Sequence, residues 1–185
     1  IRVAMIKFLH KYANPVKFNV TFKPFKFLFF VLGLSFIFLG VIIGLFFSPP
    51  DYQQSESVRI MYIHVPSAWI SLAAYTTIFL FSCFYLIWRF PLFLIVAKEA
   101  PIIGCIFTVI TMITGSLWGK PTWGTYWVWD ARLTSFFILF FIYLGLILVK
   151  NTTPHNSKSD NIYAYLSILG GINLPIVKFS VDWWN

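Results

Sequence analysis

Charge is what this chain lacks most. Of its 185 residues only 11% are charged, and just 6 are Asp or Glu. A soluble domain carries about 25%. Hydrophobic residues make up 59%, aromatics 21%, and the mean hydropathy is +0.79. These values exclude a water-soluble globule and a disordered chain. Cysteine is also scarce. Cys83 and Cys105 each sit in an apolar run, with no CxxC spacing and no His beside them. That excludes a disulfide scaffold and leaves both as small lipid-embedded hydrophobes. Phosphate-binding glycine loops, HExxH, zinc-finger spacings and a nucleophile elbow are absent, so nothing in the sequence points to ATP hydrolysis or to a hydrolase. Internal repeats and low-complexity segments are absent too.

What is present is a series of long apolar runs. A helix needs roughly 20 apolar residues to cross a bilayer. The runs predict an all-α integral membrane protein with about five spans, near 27–47, 66–88, 100–117, 133–149 and 161–177. Residues 1–26 form a basic N-terminal segment, and 27–185 a single polytopic domain. Pro66 is expected in the first turn of the second span, which puts His64 just ahead of that helix. Arg89, Lys98 and Glu99 are expected in a loop, as is the segment 118–132. Gly170, Gly171, Asn173 and Pro175 interrupt the fifth span.

The formal net charge is +8. The cations cluster at span boundaries, so the charge reads as topology rather than as nucleic-acid binding. Ten Lys and Arg fall on the N-terminal side of the alternating spans and four on the other. The N-terminus therefore lies on the side of insertion, cytoplasm or mitochondrial matrix. The basic stretch is too long, and the apolar run after it too extended, for a cleavable signal. The chain does not begin with Met, which suggests a fragment or an unusual start. Heavy use of Phe, Ile, Lys and Asn suggests an AT-rich gene such as an organellar one.

The segment WGKPTWGTYWVWDARLTS (118–135) holds Trp118, Trp123, Trp127 and Trp129 with Tyr126 in twelve residues. One reading is an interfacial aromatic belt. Such a belt needs one or two Trp per span end, and four in one loop favour a platform for a flat, hydrophobic ligand. Gly119 and Gly124 let the backbone lie close to a bound object. Asp130 is expected to cap the helix that begins near Leu133, with Arg132 as an ion-pair partner. Of three histidines, His10 and His155 lie in polar segments on the insertion side and are expected to be solvated. His64 lies on the same face as the Trp loop. A neutral imidazole beside a flat aromatic cradle suits a haem iron. Arg59, Lys120 and Arg132 are open to two roles, propionate partners or lipid headgroup contacts.

These residues resemble a known family. The Trp-rich stretch is similar to the WWD signature of haem-handling membrane proteins. Together with YIHVP (62–66) and PIVKFSVDWWN (175–185), it resembles protein C of the cytochrome c maturation system I, in bacterial or mitochondrial form, over roughly Ser48 to the last residue. The basic N-terminal segment is not part of that pattern. The resemblance implies six spans, and haem b held transiently and non-covalently at the outer face between the Trp loop and two axial histidines. It implies presentation of the haem to a haem chaperone, with other membrane subunits and a separate ATPase as partners. His64 matches the first axial ligand. The second follows Trp-Trp-Asn in the family and is absent here with the sixth span, which favours a fragment. The implied role is holding and orienting haem, not catalysis, in the mitochondrial inner membrane or alternatively a bacterial plasma membrane. Two other classes stay open: a structural membrane subunit of an ABC-type transporter without its own haem site, and a quinone-binding subunit of an ion- or electron-transfer complex. Against the latter, no carboxylate sits mid-span.

Overall fold

The computed structural model describes residues 14–154 and 156–184. His10, His155, Asn185 and the first basic residues lie outside them. Five helices are long and apolar enough to cross a membrane. The described residues contain no strand beyond an isolated bridge between Asp51 and Ser55.

Helix α1 (Pro15–Ile42) starts twelve residues before the expected span. Asn14 accepts hydrogen bonds from the Val16 and Lys17 amides at 2.9 and 3.3 Å, and Pro15 sits at the first helical position. That cap and proline nucleate a helix that carries Lys17, Lys23 and Lys26 inside it, with Lys26 Nζ donating to Asn19 Oδ1 at 2.6 Å. The helix ends in one wide turn, Ile43–Phe47, before Ser48-Pro49.

Helix α2 (Met61–Trp88) follows a tight 3-10 turn, Glu56–Ile60. It begins five residues before Pro66, and His64 lies inside it rather than ahead of it. Pro66 removes only the amide that the Tyr62 carbonyl would accept, and the preceding turn already leads the chain into helical geometry. Helix α3 (Pro91–Trp123) opens with Pro91, so Lys98 and Glu99 are helical, and Arg89 and Phe90 alone form the connection. The same helix runs through Trp118 and Pro121 to Trp123. It stops at Gly124 (φ +73°), whose amide donates to the Lys120 carbonyl at 3.0 Å. The expected loop 118–132 thus shrinks to 124–130.

Asp130 caps α4 (Ala131–Thr152), accepting from the Leu133 amide at 2.7 Å. The last crossing is a broken one, α5 (Ser157–Gly170) followed by α6 (Asn173–Trp184). At the break the amides of Gly171, Ile172 and Leu174 each reach back three residues instead of four.

Helices α2 to α6 form a bundle whose seams are lined by small and hydroxyl residues. Gly104, Thr108, Thr111, Gly115 and Gly119 form a buried stripe on α3, spaced three or four apart. Thr108 faces Ser71 of α2, with Ser71 Oγ 2.6 Å from Thr108 Oγ1, and Gly115 faces His64 of the same helix. Close backbone approach through such residues is how helices associate where lipid removes the hydrophobic drive. The core holds three fully buried tyrosines. Tyr75 donates to the Ser167 carbonyl (3.1 Å), Tyr143 to Ser71 (2.6 Å) and Tyr163 to Ala97 (2.9 Å). Helix α1 lies outside this bundle. It has no buried residue, and contact is made just beyond it, where Gly44 packs on Tyr62. Cys83 and Cys105 are unbonded.

Candidate functional site

His64 is fixed from α3. Its Nδ1 lies 3.1 Å from the Thr111 carbonyl and 3.1 Å from Thr114 Oγ1. The Thr111 carbonyl only accepts, and the Thr114 hydroxyl donates to the Ile110 carbonyl at 2.7 Å. Nδ1 therefore carries the proton, an assignment made from the network. Nε2 keeps its lone pair and has no hydrogen-bond partner among the described residues. A ring held through Nδ1–H to a carbonyl is the usual preparation of a metal-binding imidazole. Gly115 makes this approach possible, since a Cβ there would lie 2.9 Å from His64 Cε1.

Around the imidazole lies a cavity of about 50 Å³, lined by Trp118, Trp123, Arg132 and Phe136 among others. Ligand pockets for drug-sized molecules span roughly 300–1,000 Å³. The cavity is therefore too small for a porphyrin with the side chains as they stand. Its donors fit a haem better than its volume does: a free imidazole lone pair, two indole faces and a cation.

The four tryptophans do not form one platform. They fall into two edge-to-face pairs. Trp118 and Trp123 meet at 6.5 Å between centroids and 64°, with Trp118 6.3 Å from the His64 ring. Trp127 and Trp129 meet at 5.4 Å and 77°, and both contact Phe137 of α4. The second pair borders an open apolar groove of about 610 Å³ together with Met112, Ile113 and Leu117. The Trp127 indole nitrogen is buried there without a partner among the described residues. Gly119 is not a loop residue. It is helical, and a Cβ on it would stand 2.7 Å from the Trp123 ring, so its absence lets that ring lie flat on α3.

The three cations separate. Arg59 donates to the carbonyls of Leu45 (3.2 Å) and Ser48 (3.0 Å) and pairs with Glu56 at 2.8 Å, which ties the end of α1 to the start of α2. Lys120 donates to the Gly124 carbonyl at 2.8 Å and lies over the Tyr126 ring. Arg132 lines the His64 cavity, and its guanidinium makes no hydrogen bond or ion pair among the described residues. The expected Asp130–Arg132 pair is not formed. Asp130 points back to cap its own helix, and two residues along a helix start do not face each other.

Several residues at the site escaped the sequence reading. Thr111 and Thr114 hold the imidazole, Gly115 makes room for it, and Phe137 joins the second Trp pair. Gln54 accepts from the Trp118 indole at 3.0 Å, tying the 48–56 connection to the end of α3. The small-residue stripe from Gly104 to Gly119 is the sequence signal that marks the α3 face turned toward His64.

Comparison with known proteins agrees with these features. The family profile described as Heme exporter protein C matches residues 8–185. The chain is 51% identical over 146 residues to a heme exporter protein C of Bradyrhizobium diazoefficiens, covering 77% of this chain and 56% of that protein. It is 46% identical over 147 residues to a ccmC-like mitochondrial protein of Marchantia polymorpha named for cytochrome c biosynthesis, covering 80% and 62%. It is 41% identical over 183 residues to the heme exporter protein C of Haemophilus influenzae, covering 98% and 74%. The chain thus spans less than two thirds of the length of the first two of these relatives. Five membrane-crossing helices, the WWD segment, and a profile match over nearly the whole chain converge on one assignment: this integral membrane protein belongs to the heme exporter protein C family.

Proposed function

We propose that the chain binds haem b transiently at the outer membrane face and presents it to a haem chaperone for cytochrome c maturation. His64 Nε2 is the axial ligand. One observation carries the reading: Nδ1 is committed to Thr111 and Thr114, which leaves Nε2 as the lone pair at a cavity walled by Trp118, Trp123 and the unpaired Arg132. Arg132 is the propionate partner. Arg59 and Lys120, already engaged elsewhere, contribute less. Trp127 and Trp129 extend the aromatic surface along the groove beside Phe137. Since the cavity is too small for the macrocycle, binding requires the Trp118–Trp123 wall to yield. Trp123 is its looser member, 40% exposed on the last turn before a glycine stop.

The role is holding and orientation, with no bond of the substrate made or broken. The partners are the chaperone, further membrane subunits of the system and a separate ATPase. The Phe, Ile, Lys and Asn bias and the mitochondrial name of the Marchantia relative favour the mitochondrial inner membrane, with the Trp-rich end toward the intermembrane space.

The test is a visible spectrum of the purified, haem-loaded chain beside His64→Ala and a Trp123/Trp127/Trp129 triple alanine variant. The expected outcome is a Soret band that shifts or is lost in the first and is lost in the second, with both proteins still inserted. An unchanged band in His64→Ala removes that residue as ligand. Absence of haem from the wild type, with firm association to an ATPase subunit, favours a structural transporter subunit instead.

A further inference from the structure

The opposite end of the bundle carries a second built site. Between the inner ends of α2, α3, α4 and α5 lies a cavity of about 660 Å³ with five charged side chains in its lining. Its charged lining is Arg89, Lys98, Glu99, Lys150 and Asp160. Lys98 pairs with Asp160 at 2.6 Å and Lys150 with Glu99 at 2.8 Å. Among the described residues Arg89 has only neutral partners: it donates to the Asn161 amide oxygen and stacks over the Tyr85 ring. The cavity therefore carries one uncompensated positive charge, and that charge belongs to Arg89.

Two further observations show what this charge faces. Arg89 sits at φ +57°, in the left-handed position that closes α2. Glycine occupies such a position without strain, so an arginine there is held against a backbone preference. The cavity also shares Ile95 and Glu99 with a second, apolar groove of about 760 Å³. Phe18 of α1, Ile70 and Ala74 of α2, and Val96, Ala100 and Ile103 of α3 line that groove. It is open because α1 stands away from the bundle. A cationic pocket at the membrane boundary joined to an apolar cleft inside the bilayer has the shape and polarity of a phospholipid. The net charge of the pocket matches the single negative charge of one phosphodiester.

We propose that this is a binding site for one anionic phospholipid of the inner leaflet. The headgroup phosphate lies against Arg89, and an acyl chain lies in the cleft between α1 and the α2–α3 pair. Basic pockets between spanning helices on the cytoplasmic or matrix side are known places for anionic headgroups. Arg89 is 25 residues along the chain from His64, at the other end of α2, and the site does not depend on haem being the substrate.

The experiment is native mass spectrometry of the full chain released from mixed micelles with equal phosphatidylglycerol and phosphatidylcholine. Arg89→Gly is the variant of choice, because it removes the charge and relieves the backbone at once, so it does not threaten folding. The wild type is expected to retain phosphatidylglycerol preferentially. Arg89→Gly is expected to lose about fivefold of that preference, the amount one interfacial cation contributes. Equal retention of both lipids by the wild type, or an unchanged preference in Arg89→Gly, overturns the proposal. Displacement of the lipid by millimolar inorganic phosphate also overturns it, since it marks a free-anion site that makes no use of the cleft.

Discussion

The inner half of the bundle and its outer end are built from similar residues used in opposite ways. In the inner half, aromatic side chains are sealed and their polar atoms are spent. The hydroxyls of Tyr75, Tyr143 and Tyr163 all donate to backbone carbonyls of neighbouring helices. At the outer end, aromatic side chains are left open and polar atoms are left over. Trp129 is 69% exposed, and among the described residues the Trp127 indole nitrogen has no partner and neither His64 Nε2 nor the Arg132 guanidinium is hydrogen-bonded. A buried polar group without a partner is costly, and the Trp127 nitrogen is one, as is Ser82 Oγ in the other half. The difference separates scaffold from binding surface within one helix pair. The α2–α3 seam is rigid at Ser71–Thr108 and unfinished one helical turn beyond Thr111.

The sharpest way to break the comparison is to overfill the rigid half. A side chain on Gly104 would overlap the Tyr143 ring, whose hydroxyl is fixed to Ser71. Gly104→Val is therefore expected to destabilise the bundle by about 3 kcal/mol. Gly145, with nothing within 4 Å, is the control: Gly145→Ala is expected to be neutral or slightly stabilising. Thermal unfolding of the two variants in the same detergent measures the contrast. Equal midpoints would mean that the inner half is not the scaffold.

That contrast was only partly legible in the sequence. The long apolar runs were enough to give the number of crossings and their order, because lipid admits few alternatives to a closed helix. Helix ends were less legible. Asn14-Pro15 is a cap signal, but it precedes three lysines, and counting charge places the boundary after them. Gly124 marks the end of α3, yet Pro121 three residues earlier suggests an earlier stop. The Trp segment drew attention by composition. Its division into two pairs depends on Phe137, which meets one pair only after α4 has turned back against α3. His64 was found as a lone histidine on the Trp face. Its holders, Thr111 and Thr114, are 47 and 50 residues away and are brought to it by the antiparallel pairing.

A smaller effect is expected at the join between the two regions. Asp130 caps α4 and fixes where the chain after Trp129 enters the helix. Asp130→Ala is expected to cost about 1 kcal/mol, as the loss of such a cap usually does. Its larger consequence is expected in the Trp127–Trp129 pair, which depends on the position of the α4 start against Phe137. A red shift of the tryptophan emission, beyond what the modest stability loss explains, is the readout. Unchanged emission would mean that Phe137 alone holds the pair.

The smallest stability change should accompany the most specific functional one. Thr114→Val keeps the shape of the side chain and removes one of the two groups that hold Nδ1–H. The Thr111 carbonyl remains, so the imidazole stays bonded and the expected loss of stability is about 0.6 kcal/mol, typical of a single side-chain hydrogen bond between membrane helices. The ring gains rotational freedom, and its Nε2 becomes a poorer donor because one hydrogen bond that raised its basicity is gone. In the haem-loaded protein this is expected to appear as a shifted or broadened Soret band and faster transfer of haem to free imidazole, with thermal stability almost unchanged. His64→Ala separates the alternatives. If Thr114→Val leaves the spectrum and the transfer rate at wild-type values while His64→Ala changes them, the Thr111 carbonyl alone orients the ligand. If both variants leave them unchanged, the outer end is unfinished for a reason other than haem. The unpaired Trp127 nitrogen and Arg132 guanidinium then become the groups whose occupant must be sought.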